Sequence, residues 1–350
     1  MYGVYIAWRG IYTMNTNRLS KIQYAIIGAT ILVCIVLVGR KITYSRTYSD
    51  IFYAMDTVVT VESSNVESVS QLKDITNSLD AIFNGYSTDG ELYTLNSKRS
   101  LECSNELSNV IQGSIRLSKR YGNGVDITSG ALTHLWNITG DTPKKPTSEE
   151  VSKALSTIGT ENVSINGNTI TLLNDTVLDL GSVAKGYTLD VVTDYLDTVP
   201  KVTATYSMGS STLMYNVKDT TISVRSPNSP EDVFCTFNVN GTAYISTSGG
   251  YERYVQIDGI DYQHILDLST GYPTTTDLTS VTVYSKDSGI LTDFLSTKIY
   301  LSGTANLEAY LNSTTDYIVI AVDRNDYVYT SKGFTVDIID DDYTLYNNYR

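Results

Sequence analysis

The stretch Asp179-Leu180-Gly181-Ser182-Val183-Ala184-Lys185-Gly186-Tyr187 links the end of a predicted strand to the start of a predicted helix. The strand ends at Leu180, a glycine-containing turn follows, and the helix begins near Ser182 and extends over residues 183–196. A helix N-terminus presents free backbone N–H groups and the positive end of its dipole, and both favour phosphate. Lys185 adds a positive charge for the same oxyanion. The stretch therefore indicates either a phosphate-binding turn or an ordinary strand-to-helix connection with a surface lysine.

Helical and strand patterns are mixed on both sides of this stretch. Apolar residues at helical spacing predict a helix over residues 66–83. β-Branched residues predict strands over 56–61 and 317–322, and Asn-Gly predicts the turn of a hairpin over 163–180. Because there is no regular βαβ alternation, we predict an α+β fold. Further predicted elements are a helical pattern within 101–121, a helix from Ser148 capped by Thr147 or Ser148, helices over 288–301 and 305–311, β-rich runs between 202 and 283, and a solvated tail around Asp340-Asp341-Asp342.

The composition excludes several classes of protein. The chain has 350 residues with 25 Lys and Arg, 38 Asp and Glu and a net charge of −13. This charge excludes a general nucleic-acid binder, because such a protein needs a basic face. Three cysteines exclude a disulfide scaffold and a multi-cysteine zinc protein, and two histidines exclude a histidine-rich metal site. Cys103 and Cys235 either pair in an oxidising compartment or remain two free thiols.

The charge is divided unevenly along the chain. Residues 1–41 carry five basic residues and no acidic one, whereas the remainder has a net charge of −18. Residues 24–39 are uncharged and apolar, and as a helix they would be about 24 Å long. We predict a single-pass protein of the cell membrane, and the alternatives are a cleaved signal peptide and a lipoprotein. The predicted parts are a cytoplasmic segment over 1–23, a transmembrane signal anchor over 24–41, a tether over 42–50 and a domain over 51–350 outside the cytoplasm.

Polar side chains at the ends of predicted elements indicate where chemistry takes place. Asp293 and Thr297 are four residues apart on a predicted helix and share one face. Their oxygens suit Mg²⁺, and an Asp–Thr hydrogen bond explains the same pair. His264 is a candidate general base or a structural histidine. His134 lies among apolar residues and is predicted to contribute to packing.

The order of these segments resembles the ApbE family of FAD:protein FMN transferases. Residues 179–187 resemble the family signature almost letter for letter, and four further segments are similar to its other motifs. The resemblance runs from about Met55 to Thr297 and implies an ApbE-like, T-fold-related domain of mixed sheets with packed helices. The four segments are Tyr86 with Glu91-Leu92 and Asn96; Thr247-Ser248-Gly249 before Tyr251-Glu252-Arg253; His264-Ile265-Leu266-Asp267 before Thr270-Gly271; and Asp293 before Ser296-Thr297.

The resemblance also implies an activity and a set of site residues. The family takes FAD with Mg²⁺, transfers FMN through a phosphoester bond to a Thr or Ser hydroxyl of a partner protein, and releases AMP. The partner carries an Asp/Ser-Gly-Ala-Thr/Ser segment, and His264 would deprotonate its hydroxyl. The implied Mg²⁺ ligands are the Ser182 carbonyl, Asp293, the Ser296 carbonyl and Thr297. The implied FAD-lining residues are Met55, Tyr86, Gly124, Val125, Asp126, Asp179, Lys185 and Ile265.

The sequence departs from the family pattern at three places. Asp56 replaces the glycine of an early Met-Gly-Thr, and its carboxylate would repel a phosphate if it faces the site. Met208-Gly209-Ser210-Ser211 stands where the family has Gly-Gly-Asn or Gly-Gly-Asp, and Leu268 replaces the proline of Asp-Pro. Two rival functions therefore remain open. They are an FAD pyrophosphatase that gives FMN and AMP without an acceptor, and a non-catalytic membrane-anchored flavin-binding protein.

Overall fold

The computed structural model describes residues 47–122, 124–229, 231–312 and 316–346, which form eight α-helices and seventeen strands. The helices are α1 Val66–Phe83, α2 Glu91–Lys98, α3 Asn105–Tyr121, α4 Gly130–Trp136, α5 Ser148–Leu155, α6 Ala184–Asp197, α7 Gly289–Ser302 and α8 Leu307–Leu311. The strands are β1 Tyr48–Ala54, β2 Thr57–Ser63, β3 Ser100–Glu102, β4 Val163–Asn166, β5 Thr169–Leu172, β6 Ala204–Met208, β7 Ser211–Arg225, β8 Val233–Gly249, β9 Tyr254–Ile257, β10 Ile260–Gln263, β11 Leu266–Asp267, β12 Tyr272–Pro273, β13 Leu278–Ser285, β14 Ile318–Asp323, β15 Tyr327–Thr330, β16 Asp337–Ile338 and β17 Thr344–Leu345.

Ten of these strands form one large sheet. Their order is β1-β2-β6-β7-β8-β13-β14-β15-β17, and β16 pairs with β8. Neighbouring strands are antiparallel except β15 and β17, which are parallel. The strands β3, β5 and β4 form a small separate sheet. A mainly antiparallel sheet with packed helices confirms the predicted α+β fold.

Helices α1, α6 and α7 cover one face of the large sheet. Because successive side chains of a strand point to opposite faces, every second residue of β2 and β6 is buried beneath them. Val59, Val61, Tyr206 and Met208 show this alternation and belong to one core cluster with Leu72 of α1. A second cluster joins α7 to α3, β13 and β14. This packing fixes α6 and α7 against the middle of the sheet.

The opposite face carries a bent hairpin. β7 and β8 are the longest strands, and their pairing shifts register around Val217. Such irregularities bend a pair of strands. Beyond the bend, residues 220–229 and 231–239 form what we call the β7–β8 arm. Phe237 of this arm belongs to a core cluster with Tyr284 and Ile320, which point away from the helix-covered face. The arm therefore lies over the face of the sheet that does not carry α7.

Residues 343–345 pack against the sheet instead of lying in solvent. Asp341 and Asp342 are exposed, but Tyr343 is buried and its hydroxyl lies 2.7 Å from Ser226 Oγ. The next residues form β17 beside β15. The prediction of a solvated tail is therefore wrong for this segment, because an aromatic ring there completes the core under the β7–β8 arm.

Several other sequence predictions can be compared with the structure. The helix over 66–83 is confirmed, and Thr147 caps α5 in a capping box with Glu150. The predicted hairpin over 163–180 comprises only β4 and β5, and its third run makes no strand beyond a single bridge at Val177. β1 covers the last three residues of the predicted tether.

The predicted anchor and the segment before it lie outside the described residues. No helix in the described part of the chain combines the length and apolarity needed to cross a membrane. Cys103 and Cys235 are both buried free thiols, so the alternative of a disulfide between them is not realised.

Candidate active site

A cavity of about 1450 Å³ lies where the β1–β2 turn, the β6–β7 turn and the end of β8 meet α6 and α7. Most small-molecule sites occupy about 300–1,000 Å³, so this cavity has room for more than one ligand. Every predicted site residue except Ser296 contributes to its wall. Those residues are Met55, Tyr86, Gly124, Val125, Asp126, Asp179, Ser182, Lys185, His264, Ile265, Asp293 and Thr297.

Two glycines bring the backbones of α6 and α7 into direct contact beside the cavity. A Cβ added to Gly186 would lie 2.2 Å from the Gly289 carbonyl oxygen, and one added to Gly289 would lie 2.3 Å from the Gly186 carbonyl oxygen. The Gly186 N–H donates to Asp293 Oδ2 at 2.8 Å. This first-turn N–H, which the sequence suggested for a phosphate, therefore holds the Asp293 carboxylate instead.

Asp293 is a nearly buried carboxylate, with 6% of its surface exposed. Its Oδ1 atom accepts a hydrogen bond from the Ser211 hydroxyl at 2.7 Å, while Oδ2 accepts the Gly186 N–H. None of the ion pairs formed by the described residues includes Asp293. The two neutral donors orient the carboxylate but bring no positive charge to it. The Asp293 carboxylate therefore lines the cavity without an ion-pair partner among the described residues.

One turn further along α7, Ser248 of β8 holds the hydroxyl groups of Ser296 and Thr297. Its Oγ atom lies 2.9 Å from Ser296 Oγ and 3.0 Å from Thr297 Oγ1. Thr297 lines the cavity, whereas Ser296 is buried behind it and its hydroxyl donates to the Asp293 carbonyl. The side chains of Asp293 and Thr297 therefore do not bond to each other. Asp293 bonds to Ser211 of β7, and Thr297 bonds to Ser248 of β8.

His264 is held by the backbone of Arg253. Its Nδ1 atom lies 3.0 Å from the Arg253 carbonyl oxygen, which also accepts the backbone N–H of His264 at 3.1 Å. Because a carbonyl only accepts hydrogen bonds, Nδ1 carries the ring proton and Nε2 keeps a free lone pair. Burial lowers the pKa of His264 to about 4, and the positive charges of Lys185 and Arg253 add to this effect. The imidazole is therefore neutral at pH 7 and can accept a proton.

A carboxylate from α6 caps the first turn of α7. Asp190 Oδ1 accepts the Gly289 N–H at 2.5 Å, and Oδ2 accepts the Ile290 N–H at 3.1 Å and the Ser288 hydroxyl at 3.0 Å. Burial raises the pKa of Asp190 to about 6, although these hydrogen bonds favour its ionised form. A negative charge is favourable at a helix N-terminus. The cap thus ties the helix that carries Lys185 to the helix that carries Asp293.

The turn between β1 and β2 forms another part of the cavity wall. Met55 and Asp56 have φ angles of 49° and 56°, which are typical of a two-residue type I′ hairpin turn. Arg253 Nη2 donates to the Asp56 carbonyl at 2.7 Å. Both turn residues line the cavity, so the carboxylate of Asp56 is exposed in its wall.

Two further acidic residues of the cavity wall are held in place by hydrogen bonds from residues close to them in the chain. Asp126 Oδ1 accepts the N–H and the hydroxyl of Thr128 at 2.9 and 2.7 Å, and burial raises the pKa of Asp126. Asp179 Oδ1 accepts the Gly181 N–H at 2.7 Å and so closes the turn before α6. The backbone at Gly124 has a φ of 124°, a conformation that favours glycine.

Tyr86 and His134 face each other at the cavity, with ring centroids 4.9 Å apart. Both side chains are exposed, so the prediction that His134 packs among apolar residues is wrong. The reason is helical geometry, since Leu132 and Trp136 are four residues apart and share the buried face of α4. His134, two residues from each, points away from that face.

Several residues of the site were given no individual role from the sequence, although Gly186, Ser211 and Ser248 lie within quoted segments. Their role depends on partners that are distant in the chain. Gly186 is part of the signature stretch, but only its contact with Gly289 explains why glycine is required. The residues concerned are Gly186, Asp190, Ser211, Ser248 and Gly289.

Comparisons with known proteins agree with this arrangement. A FAD:protein FMN transferase of Vibrio cholerae is 30% identical over 228 residues, 62% of this chain and 68% of the relative. Another, of Haemophilus influenzae, is 27% identical over 294 residues, 79% of this chain and 83% of the relative. The crystal structure of the ApbE protein of Thermotoga maritima shares the fold, with a TM-score of 0.72 and 23% identity over 84% of this chain and 97% of the other. The ApbE family model matches residues 55–321. With most of its length matched by that model, the chain belongs to the ApbE family.

Proposed function

We propose that this protein transfers FMN from FAD to a Thr or Ser hydroxyl of an acceptor protein and releases AMP. The observation that carries the proposal is that the Arg253 carbonyl holds His264 Nδ1 and leaves Nε2 free in the same cavity wall as Asp293, Thr297 and Lys185. Phosphoryl transfer to a hydroxyl needs positioning, charge neutralisation and a base near the hydroxyl proton. The names of the relatives, FAD:protein FMN transferase, support the same reaction.

The donor set beside α7 fits Mg²⁺, which we propose as the cofactor. Asp293 supplies a carboxylate without an ion-pair partner in the described part of the chain, and Thr297 supplies a hydroxyl in the same wall. The carbonyls of Ser182 and Ser296 would complete the protein ligands. The described residues contain no group of three or more His, Cys, Asp or Glu side chains suited to a metal. Such a site suits Mg²⁺, which proteins hold with one or two carboxylates and substrate phosphates. When bound, Mg²⁺ neutralises charge on phosphate oxygens.

In the proposed reaction, His264 Nε2 accepts the proton of the acceptor hydroxyl. The hydroxyl oxygen forms a bond to the phosphorus on the FMN side, the bond from that phosphorus to the bridging oxygen breaks, and AMP leaves with the bridging oxygen. The charges of Lys185 and Arg253 act on His264 and are therefore close to the reacting groups. Preorganised positive charges of this kind stabilise the negative charge that develops in the transition state.

We also propose a location and a partner. The apolar run over residues 24–39 and the positive charge of residues 1–41 support a single-pass anchor over 24–41. The domain that follows would lie outside the cytoplasm. The acceptor would be a protein with an Asp/Ser-Gly-Ala-Thr/Ser segment, as the resemblance to the family implies.

A mass measurement tests the proposed activity. The full chain in detergent is incubated with FAD, Mg²⁺ and a protein that bears an Asp-Gly-Ala-Thr segment, and the acceptor is then weighed by mass spectrometry. The expected result is an acceptor whose mass has increased by one FMN, with AMP released in equal amount. Release of FMN and AMP at the same rate with and without acceptor would instead support the pyrophosphatase. Binding of FAD without any turnover would support the non-catalytic protein.

Asp293→Ala tests the metal assignment separately. Removing the only carboxylate of the proposed ligand set should abolish Mg²⁺-dependent turnover and also Mg²⁺ binding measured by calorimetry. Asp74→Ala is a matched control, because Asp74 is exposed on α1 and lies outside the cavity wall. Full activity and unchanged Mg²⁺ binding in Asp293→Ala would refute the assignment.

A further inference from the structure

His264 and the carbonyl that orients it lie at the base of a small hairpin. Strands β9 and β10 form a two-stranded sheet of their own, and the residue pair at its open end joins Tyr254 to Gln263. Arg253 precedes this pair and His264 follows it, so the hairpin brings the Arg253 carbonyl to the imidazole. A two-stranded hairpin has little stability of its own. The position of His264 therefore depends on contacts that fix the base of the hairpin to the larger elements around it.

The hydroxyl of Tyr300, on α7, makes two hydrogen bonds at this base. It accepts the backbone N–H of Gly250 at 3.0 Å and donates to Gln263 Oε1 at 3.0 Å. The Gln263 amide is also fixed at its nitrogen, because Nε2 donates to the Thr274 carbonyl at 2.7 Å. A carbonyl accepts hydrogen bonds and cannot donate them, so the amide nitrogen must face Thr274 and the amide oxygen must face Tyr300.

The two bonds of Tyr300 reach both sides of the hairpin base. Gln263 is the residue immediately before His264, and Gly250 lies three residues before Arg253. The same hydroxyl group thus holds the strand that leads to the imidazole and the segment that leads to its carbonyl partner. Loss of this hydroxyl would loosen both groups at once.

Glycine at position 250 makes this arrangement possible. A Cβ there would lie 2.4 Å from Gln263 Oε1 and 2.8 Å from the Tyr300 hydroxyl oxygen. Non-bonded atoms settle at about 3.5 Å, so a side chain at this position would push both groups away. The small size of Gly250 is therefore matched to the two polar side chains that meet there.

Tyr300 belongs to the helix that carries two of the proposed metal ligands. It follows Thr297 by three residues and Asp293 by seven, so the three side chains lie on one face of α7. Asp293 bonds to Ser211 of β7, and Thr297 bonds to Ser248 of β8, so this face is fixed to the large sheet. Tyr300 is 3% exposed and lies outside the cavity wall. Helix α7 thus bears both the ligands and the hydroxyl that holds the hairpin base.

We propose that Tyr300 is a positioning residue that sets His264 at its working distance from the proposed metal site. Its hydroxyl fixes the hairpin base to α7, so the imidazole and the Asp293 carboxylate keep their relative positions during the reaction. In this role Tyr300 contacts neither FAD nor Mg²⁺ and acts through His264 and the Arg253 carbonyl. The proposal rests on the proposed transferase activity, in which His264 Nε2 accepts the proton of the acceptor hydroxyl.

Tyr300→Phe tests the proposal, because it removes the hydroxyl and keeps the buried ring. Both bonds to the hairpin base are lost, and a small displacement of a reacting group is costly, so kcat for FMN transfer should fall roughly tenfold or more. The KM for FAD and the binding of Mg²⁺ measured by calorimetry should not change, because Tyr300 lies outside the cavity wall. Gly250→Ala should have the same effect, since the added Cβ would displace Gln263 and the Tyr300 hydroxyl.

Tyr206→Phe is the matched control. Tyr206 is also a buried tyrosine outside the cavity wall, and its hydroxyl lies 2.5 Å from Thr76 Oγ1. Both variants lose a buried phenol hydroxyl with a hydrogen-bond partner, so both should lose a similar amount of stability in urea denaturation. Only Tyr300→Phe should slow FMN transfer.

A double-mutant cycle separates positioning from a general loss of structure. If Tyr300 acts through His264, Tyr300→Phe should cause no further slowing in the His264→Ala background. Equal slowing in both backgrounds would show that Tyr300 acts on another group and would overturn the proposal. A wild-type kcat in Tyr300→Phe would overturn it as well.

Histidine NMR gives a readout that does not depend on activity. The chain has two histidines, so the ring Nδ1–H resonance of His264 in the ¹⁵N-histidine-labelled full chain in detergent is assigned by its loss in His264→Ala. The resonance should be sharp in the wild type and in Tyr206→Phe. It should broaden in Tyr300→Phe, because the bond from Nδ1–H to the Arg253 carbonyl loosens. An unchanged resonance in Tyr300→Phe would overturn the proposal.

Failure of the proposed function gives a different pattern. The His264 resonance would then respond to Tyr300→Phe as expected, but the wild type would attach no FMN to the acceptor in the presence of FAD and Mg²⁺. That result would overturn the transferase activity, and with it the role of Tyr300 in transfer, although the hydrogen bonds still hold His264.

Discussion

Gly186→Ala tests whether contact between α6 and α7 sets the geometry of the active site. The added Cβ would lie 2.2 Å from the Gly289 carbonyl oxygen and 2.7 Å from Asp293 Cβ. Non-bonded atoms settle at about 3.5 Å, so the two helices would have to separate by about 1 Å. Both nearest atoms belong to the backbone or sit next to it, so no side-chain rotation can relieve the clash.

Two effects of different size follow from this separation. Overpacking costs about 1–3 kcal/mol, and alanine regains about 1 kcal/mol over glycine in a helix, so the free energy of unfolding should fall by about 0–2 kcal/mol. The hydrogen bond from the residue 186 N–H to Asp293, now 2.8 Å long, would stretch beyond the usual range. A displacement of about 1 Å at a reacting group can cost about 10²-fold in rate. We therefore expect a large loss of FMN transfer with a modest loss of stability.

Urea denaturation and the initial rate of FMN transfer measure the two effects. Gly113→Ala is the matched control, because Gly113 also lies in a helix but a Cβ there meets only the flexible end of Ile290 at 3.2 Å. The control should keep its transfer rate and gain up to about 1 kcal/mol in stability. If Gly186→Ala transfers FMN at the wild-type rate, the Gly186–Gly289 contact does not position Asp293.

Three further predictions concern charge and protonation. His264→Ala should spare FAD binding but slow transfer roughly 10²-fold or more. Because burial lowers the pKa of His264 to about 4, the wild-type rate should fall as the pH drops through about 4, and a fall centred near 6.5 would contradict the buried geometry. Asp190 has a folded-state pKa of about 6 against 3.8 ordinarily, so the folded protein binds this proton first and gains stability from it as the pH falls from about 6 to 4. Asp190→Asn should lack that gain in urea titrations at several pH values, and an unchanged pH dependence would exclude the assignment. Asp56→Gly removes a carboxylate from the cavity wall while keeping the positive φ angle, so FAD should bind more tightly, by on the order of 1 kcal/mol, in a fluorescence titration; equal or weaker binding would show that Asp56 does not face the phosphates.

The sequence predicted the elements whose signals are local. The periodic spacing of apolar residues defined α1, and a cap at Thr147 or Ser148 marked the start of α5, because both patterns act within one or two turns of a helix. The long β7–β8 hairpin appeared in the sequence only as short β-rich runs. Its extent depends on pairing between residues up to 35 positions apart, such as Ser211 and Ser246, and no local pattern reports such a pairing.

The candidate site shows the same division. His264, Asp293 and Lys185 were recognised as residue types capable of chemistry, and the order of the motifs linked them to a family. The roles of Ser211 and Asp190 could not be recognised in this way, because a serine or an aspartate has no distinctive local pattern. Their importance arises from their contacts with Asp293 and with the first turn of α7.

By itself, the sequence determined the family, the fold class and twelve of the residues that line the cavity, since motifs and amphipathic periods are properties of short segments. The tertiary structure alone decided how those residues act. It placed the Arg253 carbonyl against His264 Nδ1, and so fixed which ring nitrogen is free to accept a proton. It also brought Gly186 of α6 against Gly289 of α7. Both contacts join residues of different segments, and only the folded chain brings those segments together.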